Sequence, residues 1–338
     1  MPIYPSKVKK EPTFRPQSVR LMDQVSEVMR YYHYGRRTEE AYTYWIKDFI
    51  FFHHKRHPKD MGKPEVESYL SYLAVKRKVA ISTQNQAFNA LLFLYKSVLH
   101  LPFSDDIAAT RSKRSPSLPV VLSQKEVSRL FHVMKGETLL MARVMYGGGL
   151  RLNEMLRLRI QDIDFDYGYL TIHAGKGDKD RTTLLASSLF DDLKAHLRGV
   201  RELFNHDVEQ GVANVWLPSG LARKYPNAPK SWEWQFVFPS KSLSKDPENG
   251  ELRRHHVNQS NLQKAIKRAK EKAGIDKRVT SHTLRHSFAT HLLESGTNIR
   301  VVQKLLGHAD VKMTEIYTHV LQQNLGAVVS PLDTLVRD

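Results

Sequence analysis

Cysteine is absent from this 338-residue chain. Disulfides, thiolate nucleophiles and cysteine-based zinc sites are therefore excluded. No apolar run approaches the ~18 residues that a membrane span needs. The first residues, MPIYPSKVKKEPTFRPQ, carry basic groups and prolines but no apolar stretch of the signal-peptide kind. The chain is expected to work in the cytoplasm. Acidic residues are also scarce, with 35 Asp plus Glu against 52 Lys plus Arg and a formal charge of +17. That excess runs along the whole length, as in proteins that face a polyanion, of which nucleic acid is the usual one. The P-loop pattern G-x-x-x-x-G-K-[ST] is missing, and no internal repeat or low-complexity tract is present.

The length suits two domains, and the 41% hydrophobic fraction is enough for real cores. Residues 1–17 read as a flexible basic arm. Residues 18–102 read as four amphipathic helices. Met22, Val25, Met29 and Tyr32 line one face of the first. Thr38 caps the second, with Ala41, Trp45, Phe49 and Phe52 inward. Pro64 opens the third, over Val66, Tyr69, Leu70 and Leu73. The fourth follows Ser82, with Phe88, Leu91, Leu92, Tyr95 and Leu99 on one side. Residues 103–122 form a basic, proline-containing linker in which Arg111 and Arg114 could track a DNA backbone. The second domain, 123–338, opens on a capping box of Ser123 and Glu126. Helices there flank a short two-strand pattern, Tyr169–His173 and Arg181–Leu185, and an irregular stretch of about 211–250 precedes the last helices.

Three clusters carry chemistry. In GGGLRLNEMLRL, residues 147–158, Arg151 follows a glycine turn. In GKGDKDR, Lys176 sits between glycines at a hairpin tip, with Lys179 as the second lysine of the loop. In HTLRHSFATHLL, His282 and Arg285 are three apart on one helical face. The nearby LLGHADVKMTEIYTHV adds His308 and Tyr317, with Tyr317 at the edge of an apolar stripe of Met313, Ile316 and Val320. Taken singly, each has an ordinary structural reading: a surface arginine, a solvated loop lysine, a core tyrosine. His282 and His286 share the i, i+4 spacing of a zinc pair, but the glutamate of H-E-x-x-H is missing. Taken together, two arginines, a lysine, two histidines and a tyrosine without a carboxylate pair suit phosphoryl transfer without metal. Cationic donors then neutralise the charge that Mg²⁺ would otherwise meet, and a tyrosine ester conserves the bond energy so that no ATP is needed.

The order Arg, Lys, His-x-x-Arg, His, Tyr, carried by GLR, GKG, HTLRHSFAT, LLGH and IYTHV, resembles the tyrosine recombinases over roughly residues 18–325. The resemblance implies a mainly α, two-domain fold: a four-helix, SAM-like core-binding domain and a mixed α/β catalytic domain, closing on DNA as a C-shaped clamp. It implies that Arg151 and Arg285 hold the scissile phosphate and that His308 supports the same charge. Lys176 would protonate the departing 5′-oxygen, His282 would act as base or proton relay, and Tyr317 would attack. Gly148 and Asn153 depart from the commoner residues of the pattern without removing a catalytic group. No cofactor is implied.

A narrower resemblance comes from GVANVWLPSGLARKYPNAPKSWEWQFVFPS, then RRHH, between Gly211 and His256, and from the SPLDTL ending. These are similar to integron integrases, bacterial enzymes that join attC and attI sites as a homotetramer on the nucleoid. Three of the four tryptophans lie in this segment. They either anchor a long loop or stack on bases protruding from a folded single-stranded attC hairpin. Trp216, Trp232, His255 and His256 are the nominated contacts, since every base has a stackable face. A chromosome-dimer or phage-type recombinase acting on duplex sites only, a type IB topoisomerase and a catalytically silent DNA-binding module are the alternatives.

Overall fold

Apolar residues recurring with the helical period along the first hundred positions produce helices in the computed structural model, which describes residues 14–103, 119–173, 180–247 and 249–317. The chain divides into two units, Met1–Pro116 and Ser117–Asp338. Lys176, Lys179, Arg111 and Arg114 lie outside the described residues.

The first unit holds α1 (Leu21–Tyr31), α2 (Arg36–Phe52), α3 (Lys63–Val75) and α4 (Ile81–Phe93), the last continued by a π turn at Leu94–Val98. Val25, Met29, Ile46, Phe49, Val66, Tyr69, Leu73 and Leu91 are buried together. Two starts differ from the sequence expectation. Helix α2 begins at Arg36 behind Gly35, so Thr38 stands inside its first turn, and α4 begins at Ile81, before Ser82. Neither Gly35 nor Ala80 supplies a capping side chain. Burial of the inner stripe outweighs the loss of one cap, worth only about 1 kcal/mol.

The second unit opens with α5 (Gln124–Val133), capped as expected: the Ser123 hydroxyl accepts from the Glu126 N–H, and Glu126 accepts from the Ser123 N–H. Then come α6 (Gly136–Gly148), α7 (Leu152–Leu156) and an antiparallel sheet of β1 (Ile163–Asp164), β2 (Tyr169–Ile172) and β3 (Arg181–Leu184). Leu170 pairs with Ile163 on one side and Thr183 on the other. The sheet has three strands rather than the expected two, because a two-residue strand leaves no alternation to detect.

Helix α8 (Phe190–Glu209) leads into the segment after Gly211, which is more ordered than its sequence suggests. It contains α9 (Ser219–Lys224) and a hairpin of β4 (Ser244–Lys245) and β5 (Leu252–Arg253). Arg254, buried, pins it to α8 by a double hydrogen bond to Asp207. The unit ends, among the described residues, with α10 (Gln259–Lys272), α11 (Ser281–Glu294), α12 (Ile299–Leu306) and α13 (Lys312–Glu315). Its main core gathers α5, α6, α7, the sheet and α10 around Met141, Met145, Leu156, Leu170 and Leu262.

Candidate active site

Helix α6 ends at Gly149, whose φ of 61° is the left-handed conformation that glycine adopts without penalty. A Cβ there would stand 2.4 Å from the Phe288 ring of α11, so the absent side chain also permits the approach of α11. The reversal places Arg151 at the N-terminus of α7, one turn ahead of Glu154. The Arg151 backbone N–H and guanidinium both donate to that carboxylate, at 2.8 and 2.6 Å.

Glu154 is the hub of the site. Arg181, at the start of β3, donates to its two oxygens at 3.0 and 2.7 Å, and Arg285 lies 3.7 Å away. Burial pushes the Glu154 carboxyl up, but the hydrogen bonds and charges of Arg181 and Arg151 outweigh it and hold the group down at about 2. Arg285, only 3% exposed, donates to the carbonyls of Gly149 at 2.6 Å and Leu306 at 2.5 Å. It thus ties the end of α6 to the end of α12. Arg181 makes a parallel tie by donating to the Leu305 carbonyl at 2.9 Å. Two arginines with an adjacent carboxylate make a rigid, preorganised cationic wall of the kind that stabilises developing negative charge.

Tyr317 follows α13 and is 2% exposed, packed with Phe288, Val302 and Leu306. Here the structure departs from the expected apolar stripe: Ile316 is exposed, while Thr314 and Tyr317 turn inward. A four-residue helix has no face of its own, and its docking against α11 and α12 decides which side is buried. His308 stacks beside the Tyr317 ring at 6.3 Å between centroids, and its Nδ1 meets the Thr314 hydroxyl at 2.9 Å. The Tyr317 hydroxyl meets His286 Nδ1 at 2.9 Å. The histidine at the phenol is therefore His286, one turn beyond the nominated His282. Burial first, then the charges of Arg285 and Arg151, hold His308 at about 4, and burial with His282 and Arg285 holds His286 at about 4. Both are neutral at neutral pH. Burial raises the Tyr317 hydroxyl, and Arg285 and Arg151 pull it back in part.

Next to these groups lies a cavity of ≈ 830 Å³ whose lining includes Arg151 and His282 together with Trp216, Trp234, His255 and His256. Of the nominated insertion residues, Trp216, His255 and His256 reach it, whereas Trp232 does not. Trp232 packs on Phe204 and beneath the Arg201 guanidinium, 4.7 Å from its ring, and so braces the insertion against α8. Trp234 takes its place at the cavity. Arg159 explains the arrangement: its guanidinium lies 3.8 Å over Phe236 and donates to the carbonyls of Trp234 at 2.7 Å and Trp216 at 2.9 Å. Among the described residues no group of three or more His, Cys, Asp or Glu could hold a metal ion.

Five residues of this arrangement were not among the nominated site residues: Glu154, Arg181, His286, Arg159 and Trp234. Signals existed for some. Glu154 stands three residues after Arg151, Arg181 closes the GKGDKDR loop and His286 adjoins Arg285. For Arg159 and Trp234 nothing local separates them from neighbours of the same type, Arg157 and Trp232.

Comparison with known proteins gives the family of the chain. The Phage integrase family pattern matches residues 120–324, and the Phage integrase N-terminal SAM-like domain matches residues 21–105. An integrase/recombinase of Escherichia coli and another of Pseudomonas aeruginosa are each 49% identical over 321 residues, 94% of this chain and 95% of theirs. Tyrosine recombinase XerA of Pyrococcus furiosus is 29% identical over 306 residues, 89% of this chain and 90% of its own. Two solved folds align over most of the chain. One is XerH recombinase bound to a palindromic difH substrate (TM-score 0.60, 22% identity, 91% of this chain and 84% of that one). The other is a lambda integrase tetramer bound to a Holliday junction (TM-score 0.59, 16% identity, 88% and 76%). The chain belongs to the phage integrase family, the tyrosine recombinases, and is a DNA strand-transferring enzyme of a kind that works without metal ion or ATP.

Proposed function

We propose that this recombinase is an integron-type integrase that inserts and excises gene cassettes by joining attC and attI sites through a 3′-phosphotyrosyl link at Tyr317. Arg151 and Arg285 bind the non-bridging oxygens of the scissile phosphate, with His308 supporting the same charge. Lys176 protonates the leaving 5′-oxygen, and His282 relays protons at the cavity side of the site. The partners are a folded single-stranded attC hairpin and duplex attI, and the working assembly is a homotetramer. The tetramer of lambda integrase on a Holliday junction supports that assembly.

One observation carries the reading: a single cavity is lined both by Arg151 and His282 and by Trp216, Trp234, His255 and His256. A base flipped out of a hairpin and placed there would stack on aromatic rings while its strand stays beside the phosphate-binding arginine. Each such stack is worth roughly 1–3 kcal/mol. The test is adduct formation on a folded attC bottom strand, its top strand and the duplex. Trp216→Ala and Trp234→Ala should lose activity on the hairpin while keeping it on the duplex. Trp232→Ala, which removes a brace, should lower the melting temperature and harm both substrates. Equal losses for all three variants on both substrates would leave a recombinase of duplex sites only.

A further inference from the structure

Arg181 spends its guanidinium on the protein itself. Nη1 and Nη2 donate to the two oxygens of Glu154 at 3.0 and 2.7 Å, and Nε donates to the Leu305 carbonyl at 2.9 Å. Its side chain is 8% exposed, whereas that of Arg151 is 27% exposed and lines the cavity. Through Glu154 the grip of Arg181 reaches Arg151. The carboxylate it holds by both oxygens also accepts from the Arg151 backbone N–H at 2.8 Å and from Arg151 Nη1 at 2.6 Å. A carboxylate held by a two-pronged guanidinium has one orientation, and it passes that orientation to the second arginine it meets. Through Leu305 the grip reaches His308. The last carbonyls of α12 have no partner within the helix, and Arg181 and Arg285 take those of Leu305 and Leu306. The chain then turns at Gly307, with φ 63°, into His308. Arg181 crosses that turn so closely that a Cβ on Gly307 would stand 2.7 Å from its Cδ and 3.1 Å from its Nε.

We propose that Arg181 is a positioning residue of the strand-transfer reaction. From strand β3 it fixes the separation of Arg151 and His308, the two groups that, in the function proposed above and on which this role rests, share the charge of the scissile phosphate. Donors aimed at a developing charge are effective only when their places are set beforehand. A displacement of about 1 Å costs roughly 10²-fold in rate. A residue that only packed the domain together would act on stability and on every substrate alike. One that sets this separation acts on the negative charge at phosphorus.

The test uses the full chain on a nicked suicide substrate that traps the covalent adduct. Arg181→Lys keeps a positive charge beside Glu154, but an ammonium has no fork and cannot reproduce the three-point grip. Melting temperature and DNA affinity should stay close to those of the parent chain, while adduct forms roughly 10²-fold more slowly. A second substrate carries a methylphosphonate at the scissile position, where a methyl group replaces one non-bridging oxygen and removes the negative charge. Groups that meet that charge matter less there. Relative to the parent chain on the same substrate, Arg181→Lys and Arg151→Ala should both recover most of their loss, and Lys176→Ala should not. Arg181→Lys added to Arg151→Ala, or to His308→Ala, should also cost less than it costs the parent chain, because a group it places is already gone. Cleavage by Arg181→Lys at the parent rate would overturn the proposal. So would full additivity with both partners, or a loss that the neutral phosphate leaves in place, with or without a lower melting temperature. If Arg151→Ala itself finds no relief on the methylphosphonate, Arg151 does not meet the phosphate charge. The reading of the site then fails before the part given to Arg181.

Discussion

Glu154 sets one carboxylate against the guanidinium groups of Arg151, Arg181 and Arg285. Its carboxyl falls from an ordinary 4.5 to about 2 in the folded chain. A depressed acid contributes stability that is present above its unfolded value and lost as pH falls through the folded one. The window here is between pH 4.5 and about 2, and the contribution at neutral pH is about 3 kcal/mol. Glu154→Gln keeps the shape but leaves three cations without a counter-charge, so urea unfolding at neutral pH should show a loss of roughly 3–5 kcal/mol. The variant should also have a shallower fall of stability across that acid window. An unaltered acid limb would mean that another group carries it. Lys176 admits an independent test. A substrate with sulfur in place of the bridging 5′-oxygen has a leaving group that needs little protonation. It should restore most of the roughly 10²–10⁴-fold loss of Lys176→Ala but not that of Arg151→Ala. If Lys179→Ala is the variant restored, the proton comes from the second lysine of the loop.

Among the elements, α6, α7 and α11 are joined at one reversal. Gly149 supplies the left-handed turn, its carbonyl accepts from Arg285, and Phe288 fills the space a side chain would occupy. Gly149→Ala would bear a left-handed penalty of roughly 1–2 kcal/mol and a clash with a ring that is itself buried. The melting temperature should fall, and adduct formation should fall further than unfolding accounts for, because Arg151 and Arg285 are both placed from this turn. A variant equally stable and active would show that the turn does not position them. The same element scale separates what was legible from what was not. The GGG run announced a turn before Arg151, and Ser123 with Glu126 announced α5, since both are patterns within four residues. The inward side of the Tyr317 segment was not legible. Its four-residue helix, Lys312–Glu315, takes its orientation from α11 and α12 instead of from its own periodicity.

Across the whole molecule, a net charge of +17 makes DNA binding an exchange of lysine and arginine for condensed counterions. The logarithm of affinity should fall steeply and linearly with the logarithm of salt concentration. Arg111 and Arg114 changed together to Ala should flatten that slope by about two units, near one for each arginine removed from a phosphate, without altering site choice. Titrations of binding at several salt concentrations measure this. A slope unaffected by the double change would mean that the linker does not touch the phosphates.

Composition and local pattern by themselves determined that the chain is a two-part, mainly helical, basic protein, and they singled out a candidate set of cationic side chains, histidines and a tyrosine suited to phosphoryl transfer. Charge, helical period and turn chemistry are properties of short stretches and of sums, so they survive without coordinates. Only the tertiary structure decided which of two histidines four residues apart meets Tyr317, 31 positions beyond His286. It alone decided which tryptophan of SWEW turns to the cavity, through an arginine 75 positions from Trp234. Such choices are made by packing between distant segments, where two neighbours of the same type are chemically equal until one of them is buried.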